Sequence, residues 1–102
     1  MYTVKAEIST GVYAFNNVNE LWAQLLAHGL DVKTAVEQSL HNGRVIQSEI
    51  KFLTPSLISV KLVFVEELDF YKMLSSDLFR RFNDFISTAN WNLIIKEKSK
   101  LE

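Results

Sequence analysis

The chain of 102 residues has no cysteine, one proline and three glycines, and its charges nearly cancel. Each shortage removes a class of answer. Without cysteine there is no disulfide, no thiol nucleophile, no iron–sulfur ligation and no cysteine-containing zinc site. Three glycines cannot write a Walker or Rossmann loop, whose close backbone approach to phosphate usually requires glycine. None of the serines stands in a Gly-x-Ser-x-Gly elbow, which removes support for that nucleophile. Eleven Lys and Arg against twelve Asp and Glu leave a formal charge of −1, too little field to concentrate nucleic acid or anionic lipid. No apolar run reaches the length of a secretory core or a membrane span, so the expected compartment is the cytoplasm, with no membrane partner. What remains is ordinary: 48% apolar, 12% aromatic and 23% charged residues describe one globular domain. Such a chain buries roughly two-thirds of its unfolded surface and needs no staple. The domain is expected to run from 1 to 100, with Leu101-Glu102 read as a cloning remnant.

Tyr2, Val4, Ala6 and Ile8 alternate with Thr3, Lys5, Glu7 and Ser9, the period of a half-buried strand. Gly11 interrupts it, and Val12-Tyr13-Ala14-Phe15 reads equally as a strand continuing past a bulge or as an apolar loop. Asn17 followed three residues later by Glu20 has the spacing of a capping box. Leu21, Trp22, Leu25 and Leu26 then share a helical face that Gly29 ends. Asp31 caps a second short helix bearing Val32, Ala35, Val36 and Leu40, closed by Asn42-Gly43. Two alternating runs follow, Ile46, Ile50 and Phe52 in one and Ile58, Val60, Leu62 and Phe64 in the other. Thr54-Pro55-Ser56 between them predicts a hairpin. Leu68, Tyr71, Leu74, Leu78, Phe82, Phe85 and Ile86 keep helical spacing over 66–88, with Glu66, Glu67 and Asp69 at the end the dipole favours. Ser75-Ser76-Asp77 offers a restart, but one long helix, straight or kinked, is the preferred reading. Trp91, Leu93 and Ile95 form a last strand before a solvated tail from Lys96 to Lys100.

This order, strand, helix pair, strand, strand, helix, strand, resembles the split β-α-β arrangement of ferredoxin-like domains. The resemblance implies an α+β ferredoxin-like sandwich, β-αα-β-β-α-β, with helices on one face of an antiparallel four-stranded sheet. It rests on element order, without a family motif, and such a fold hosts many functions. RNA-recognition domains share the order but stack bases on aromatics of the open face. Here the first and third strands offer Thr3, Lys5, Glu7, Ser59 and Lys61 instead, so no nucleic-acid partner is expected.

His28 and His41 stand at helix ends, where an imidazole serves unpaired carbonyls and the negative dipole. Thirteen residues apart and without cysteine, they are a weak metal set. Glu66, Glu67 and Asp69 crowd one helix turn and do not face each other across a cleft. Asp77 with Arg81, and Arg80 with Asp84, read as i, i+4 surface pairs. No catalytic residue, metal or cofactor is assigned.

One segment carries more than a turn needs. Thr10-Gly11-Val12-Tyr13-Ala14-Phe15-Asn16-Asn17 places two aromatics in a connection. The plainer and preferred reading is a strand extension or core plug, since aromatic residues usually pack; in the sharper one Tyr13 and Phe15 are contact anchors, with Trp22 and Trp91 as further walls of a binding site. The expectation is a small non-catalytic binding domain acting on a protein partner or its own copy as a homodimer. A small-molecule regulatory domain is the alternative, and an enzyme using His or carboxylates stands behind both.

Overall fold

The computed structural model describes residues 1–100, so Leu101 and Glu102 and the reading attached to them lie outside it. The first alternating run forms β1 (Tyr2–Ser9), and the two capped runs form α1 (Val18–Ala27) and α2 (Val32–His41). The hairpin is β2 (Val45–Thr54) and β3 (Leu57–Phe64), followed by α3 (Glu67–Leu74), α4 (Asp77–Ala89) and β4 (Asn92–Lys100). The strands form one sheet in the order β2-β3-β1-β4, and every neighbouring pair is antiparallel. β1 therefore runs parallel to β2, and β3 parallel to β4. Each helix pair joins two parallel strands across one intervening strand. This is the ferredoxin-like arrangement.

The caps work largely as their residue types require. Asn17 accepts from the Glu20 amide at 3.1 Å, while the Glu20 carboxylate accepts from the Asn16 amide at 2.8 Å. The return bond thus falls one residue earlier than in a strict capping box. Asp31 accepts from the Thr34 amide at 3.3 Å. Gly29, at φ 76, takes the left-handed turn that ends α1, and there the Arg81 guanidinium donates to its carbonyl. α4 is thereby tied to the end of α1.

Four expectations need correction. The stretch 66–88 is two helices, because the Ser76 hydroxyl accepts from the Phe79 amide at 3.2 Å and donates to the Met73 carbonyl at 2.7 Å. One side chain closes α3 and opens α4, which outweighs the continuous apolar period. Ile46 is 51% exposed and Val45 takes the core position, because the β2–β3 register shifts between Val45 and Gln47. The basic tail is not a tail, since β4 pairs with β1 as far as Lys100 opposite Tyr2. Finally, Arg80 pairs with Asp77 and not with Asp84, while the expected Asp77–Arg81 pair stands at 3.9 Å.

The sheet's helix-bearing side holds two apolar clusters. Ile8, Phe15, Leu21, Leu25, Leu30, Ile58, Ile86 and Trp91 pack beneath α1 and α4. Tyr2, Val4, Val45, Phe64 and Phe70 pack beneath α3. Among the described residues no helix is long and apolar enough to cross a membrane.

Candidate functional site

The undecided segment 12–15 is a loop, and hydrogen bonds hold it against the β2–β3 turn. The Thr10 amide donates to the Ser56 carbonyl at 2.9 Å, and the Phe15 amide to the Pro55 carbonyl at 2.8 Å. The buried Thr10 hydroxyl donates to the Tyr13 carbonyl at 2.7 Å. Gly11 turns the chain at φ 63, a left-handed conformation that costs other residues a steric penalty. This loop thus folds back over the end of the sheet and drops Phe15 into the core at 6% exposure. Tyr13, by contrast, stays 43% exposed.

Trp91 arrives from the opposite direction. Asn90 caps α4 at φ 59, and the Trp91 amide donates to the Ile86 carbonyl at 2.9 Å. That six-residue closure is a Schellman-type end, with Asn in the place usually given to Gly. It delivers the indole inward, where it is 5% exposed. Three rings meet it edge-on: Phe85 at 5.1 Å, Phe15 at 5.9 Å and Tyr13 at 6.0 Å between centroids. T-shaped contacts of this kind are favoured by the ring quadrupoles. His28 lies against the far side of this group, 4.7 Å from Phe85, and its Nε2 stands 3.4 Å from the Gln24 amide nitrogen.

Three of the four candidate residues therefore converge, Tyr13, Phe15 and Trp91. Trp22 is half-buried and packs against the same core from α1, outside this set of ring contacts. Phe85 is the member that sequence reasoning passed over, because its helical spacing marked it only as core. The unusual feature of the group is polar. Among the described residues the indole Nε1 of Trp91 is buried without a hydrogen-bond partner, whereas buried donors are nearly always paired and an orphan costs about 1–3 kcal/mol.

The other candidate chemistry is dispersed. His41 closes α2 in solvent, and Glu66 and Asp69 cap α3, where the Glu66 amide donates to the Asp69 carboxylate at 3.3 Å. Among the described residues no three His, Asp or Glu side chains are grouped to hold a metal ion.

No protein-family model matches the chain, and no curated protein matches it. A solved structure from Deinococcus radiodurans, described as a "putative antibiotic biosynthesis monooxygenase", does. It superposes with a TM-score of 0.67 at 12% identity, over 100% of this chain and 93% of its own. At that identity the likeness establishes the fold, the four-stranded antiparallel sheet with its helices, and not the activity.

Proposed function

We propose that the protein is a binding domain whose recognition element is the ring cluster of Tyr13, Phe15, Phe85 and Trp91. Its ligand is a small planar aromatic molecule carrying a hydrogen-bond acceptor. The carrying observation is the orphan Trp91 Nε1, a donor enclosed by rings. An acceptor atom reaching it would remove the desolvation cost, and Tyr13, 43% exposed, is the ring whose displacement would open the way to it. The structural neighbour's description as a monooxygenase favours small-molecule chemistry over protein contact, without assigning catalysis to this chain.

The test compares coumarin and quinoline, which carry acceptors, with naphthalene, which does not. Thermal shift reads stability, and Trp91 fluorescence is followed in a Trp22→Phe background. Coumarin or quinoline at 100 times its Kd should stabilise the fold by about 2.7 kcal/mol, with naphthalene clearly weaker. The effect should fall in Trp91→Phe, which keeps a ring and removes the donor. Equal shifts for all three compounds, or an undiminished shift in Trp91→Phe, would sink the reading.

A protein contact, including self-association into a homodimer, is the second reading. It is favoured by the exposed tip beside the same cluster, where Val12 is 98% and Leu53 55% exposed. Sedimentation as a dimer that Tyr13→Ala dissociates would select it.

A further inference from the structure

The sheet's other face carries a charge pattern that the near-zero net charge conceals. Pairing register sets Glu49 opposite Lys61, Lys61 opposite Lys5, and Lys5 opposite Glu97. One row across the four strands therefore reads minus, plus, plus, minus. Like charges directly opposite in a sheet are unfavourable, and the neighbouring acids do not relieve this pair evenly. Glu97 takes Lys5 at 3.3 Å. Glu49 turns along its own strand to Lys51 at 2.8 Å instead of crossing to Lys61, and Glu7 engages Lys96 at 3.8 Å. Lys61, half-buried, is left without an ion pair among the described residues. Next to it Lys51 stands opposite Ser59, so three ammonium groups, one carboxylate and one hydroxyl surround a shallow depression of about 280 Å³.

Strands lie about 4.8 Å apart, well inside the screening length of about 8 Å at physiological salt. Within that range Glu97 offsets Lys5 and Glu49 offsets Lys51, so the depression keeps one uncompensated positive charge, that of Lys61, with two further ammoniums that an anion can recruit from their carboxylates. We propose that this depression binds a small phosphate-class oxyanion, held by Lys5, Lys51 and Lys61 with the Ser59 hydroxyl as an added donor. Ammonium groups bind phosphate as point charges, which suits a flat, open face. A nucleic-acid strand would need aromatic platforms, and none of Thr3, Lys5, Glu7, Ser59, Lys61 and Val63 supplies one.

The experiment titrates inorganic pyrophosphate, then inorganic phosphate, into the ¹⁵N-labelled protein, with sodium chloride holding ionic strength constant. Saturable amide shifts centred on Lys5, Lys51, Ser59 and Lys61 are expected, larger for pyrophosphate. Lys61→Met should weaken pyrophosphate binding about fivefold, while Lys98→Met, opposite Val4 on the helix-bearing side, should leave it unchanged. Non-saturating shifts, shifts spread over every lysine, or equal weakening by both variants would overturn the proposal. So would a ten-residue deoxythymidine strand that binds more tightly than pyrophosphate.

Discussion

The two faces of the sheet are built from the same four strands and solve opposite problems. On one side Ile8, Ile58 and their neighbours are sealed by α1 and α4, and the cost appears as a polar atom shut in without a partner, Trp91 Nε1. On the other side no described helix covers the strands, although Thr3 and Val63 are buried there, and the cost appears as charge, Lys5 beside Lys61. A buried orphan donor is expensive because no water reaches it. Two ammoniums on the sheet surface are tolerable because water does. The same departure from ideal pairing therefore has a large energetic consequence on the first face and a small one on the second. Ligands should reach the two by different physics, hydrogen bonding in a dry ring cluster and point-charge attraction in a wet depression.

That contrast is broken most violently at Trp91. Trp91→Ala removes the ring that Phe85, Phe15 and Tyr13 all contact and should cost about 3–5 kcal/mol of stability in urea unfolding. A Lys61→Ala change on the open face should stay within about 0.5 kcal/mol. Comparable losses would mean that the open face is covered in solution. A middle-sized effect is expected at Ser76, whose hydroxyl joins α3 to α4. Ser76→Ala should cost about 1 kcal/mol, and Phe85, carried by α4, should show raised amide exchange with it.

Local signals were legible in the residues, and pairwise ones were not. Asn17, Asp31 and Gly29 announce helix ends because a cap is made within four residues, and Thr54-Pro55-Ser56 announces its hairpin for the same reason. Ser76 misleads because Leu74, Leu78 and Phe82 keep helical steps across the break, so the apolar period hides the change of axis. The shifts at Ile46 and beyond Lys5 have no mark in a single strand; a bulge is a property of two strands. Tyr13 and Phe15 stood out because aromatics are unneeded in a turn, whereas Phe85 looked like any helical core residue. The open face reads as charges of opposite sign along β1 and β2, and only the register turns them into a row with its two lysines adjacent.

Relief of that adjacency gives a smaller prediction. Lys61→Met should raise stability slightly, by about 0.2–0.5 kcal/mol at low salt, and the gain should vanish in 1 M salt, where the screening length is about 3 Å. A gain that survives 1 M salt would be apolar in origin.

The smallest effect concerns protons. Lys51 holds the Glu49 carboxyl below its ordinary range, first through their hydrogen bond and then through its charge, with Lys61 and Lys5 adding weaker pulls. A carboxyl lowered in the folded state contributes stability that is complete above its unfolded value and is lost as pH falls through the folded one. Because both side chains meet solvent, the readout is the carboxyl ¹³C titration of Glu49 itself. In Lys51→Met its midpoint should rise most of the way to the ordinary value. Part of the remainder should disappear when Lys61→Met is added, leaving the weaker pull of Lys5, since both lysines of the row act across the strands. If the second substitution moves nothing, the row is a geometric coincidence and the open face holds separate pairs. If it moves the midpoint further, charge is shared across the strands on the wet face, as aromatic contact is shared across elements on the dry one.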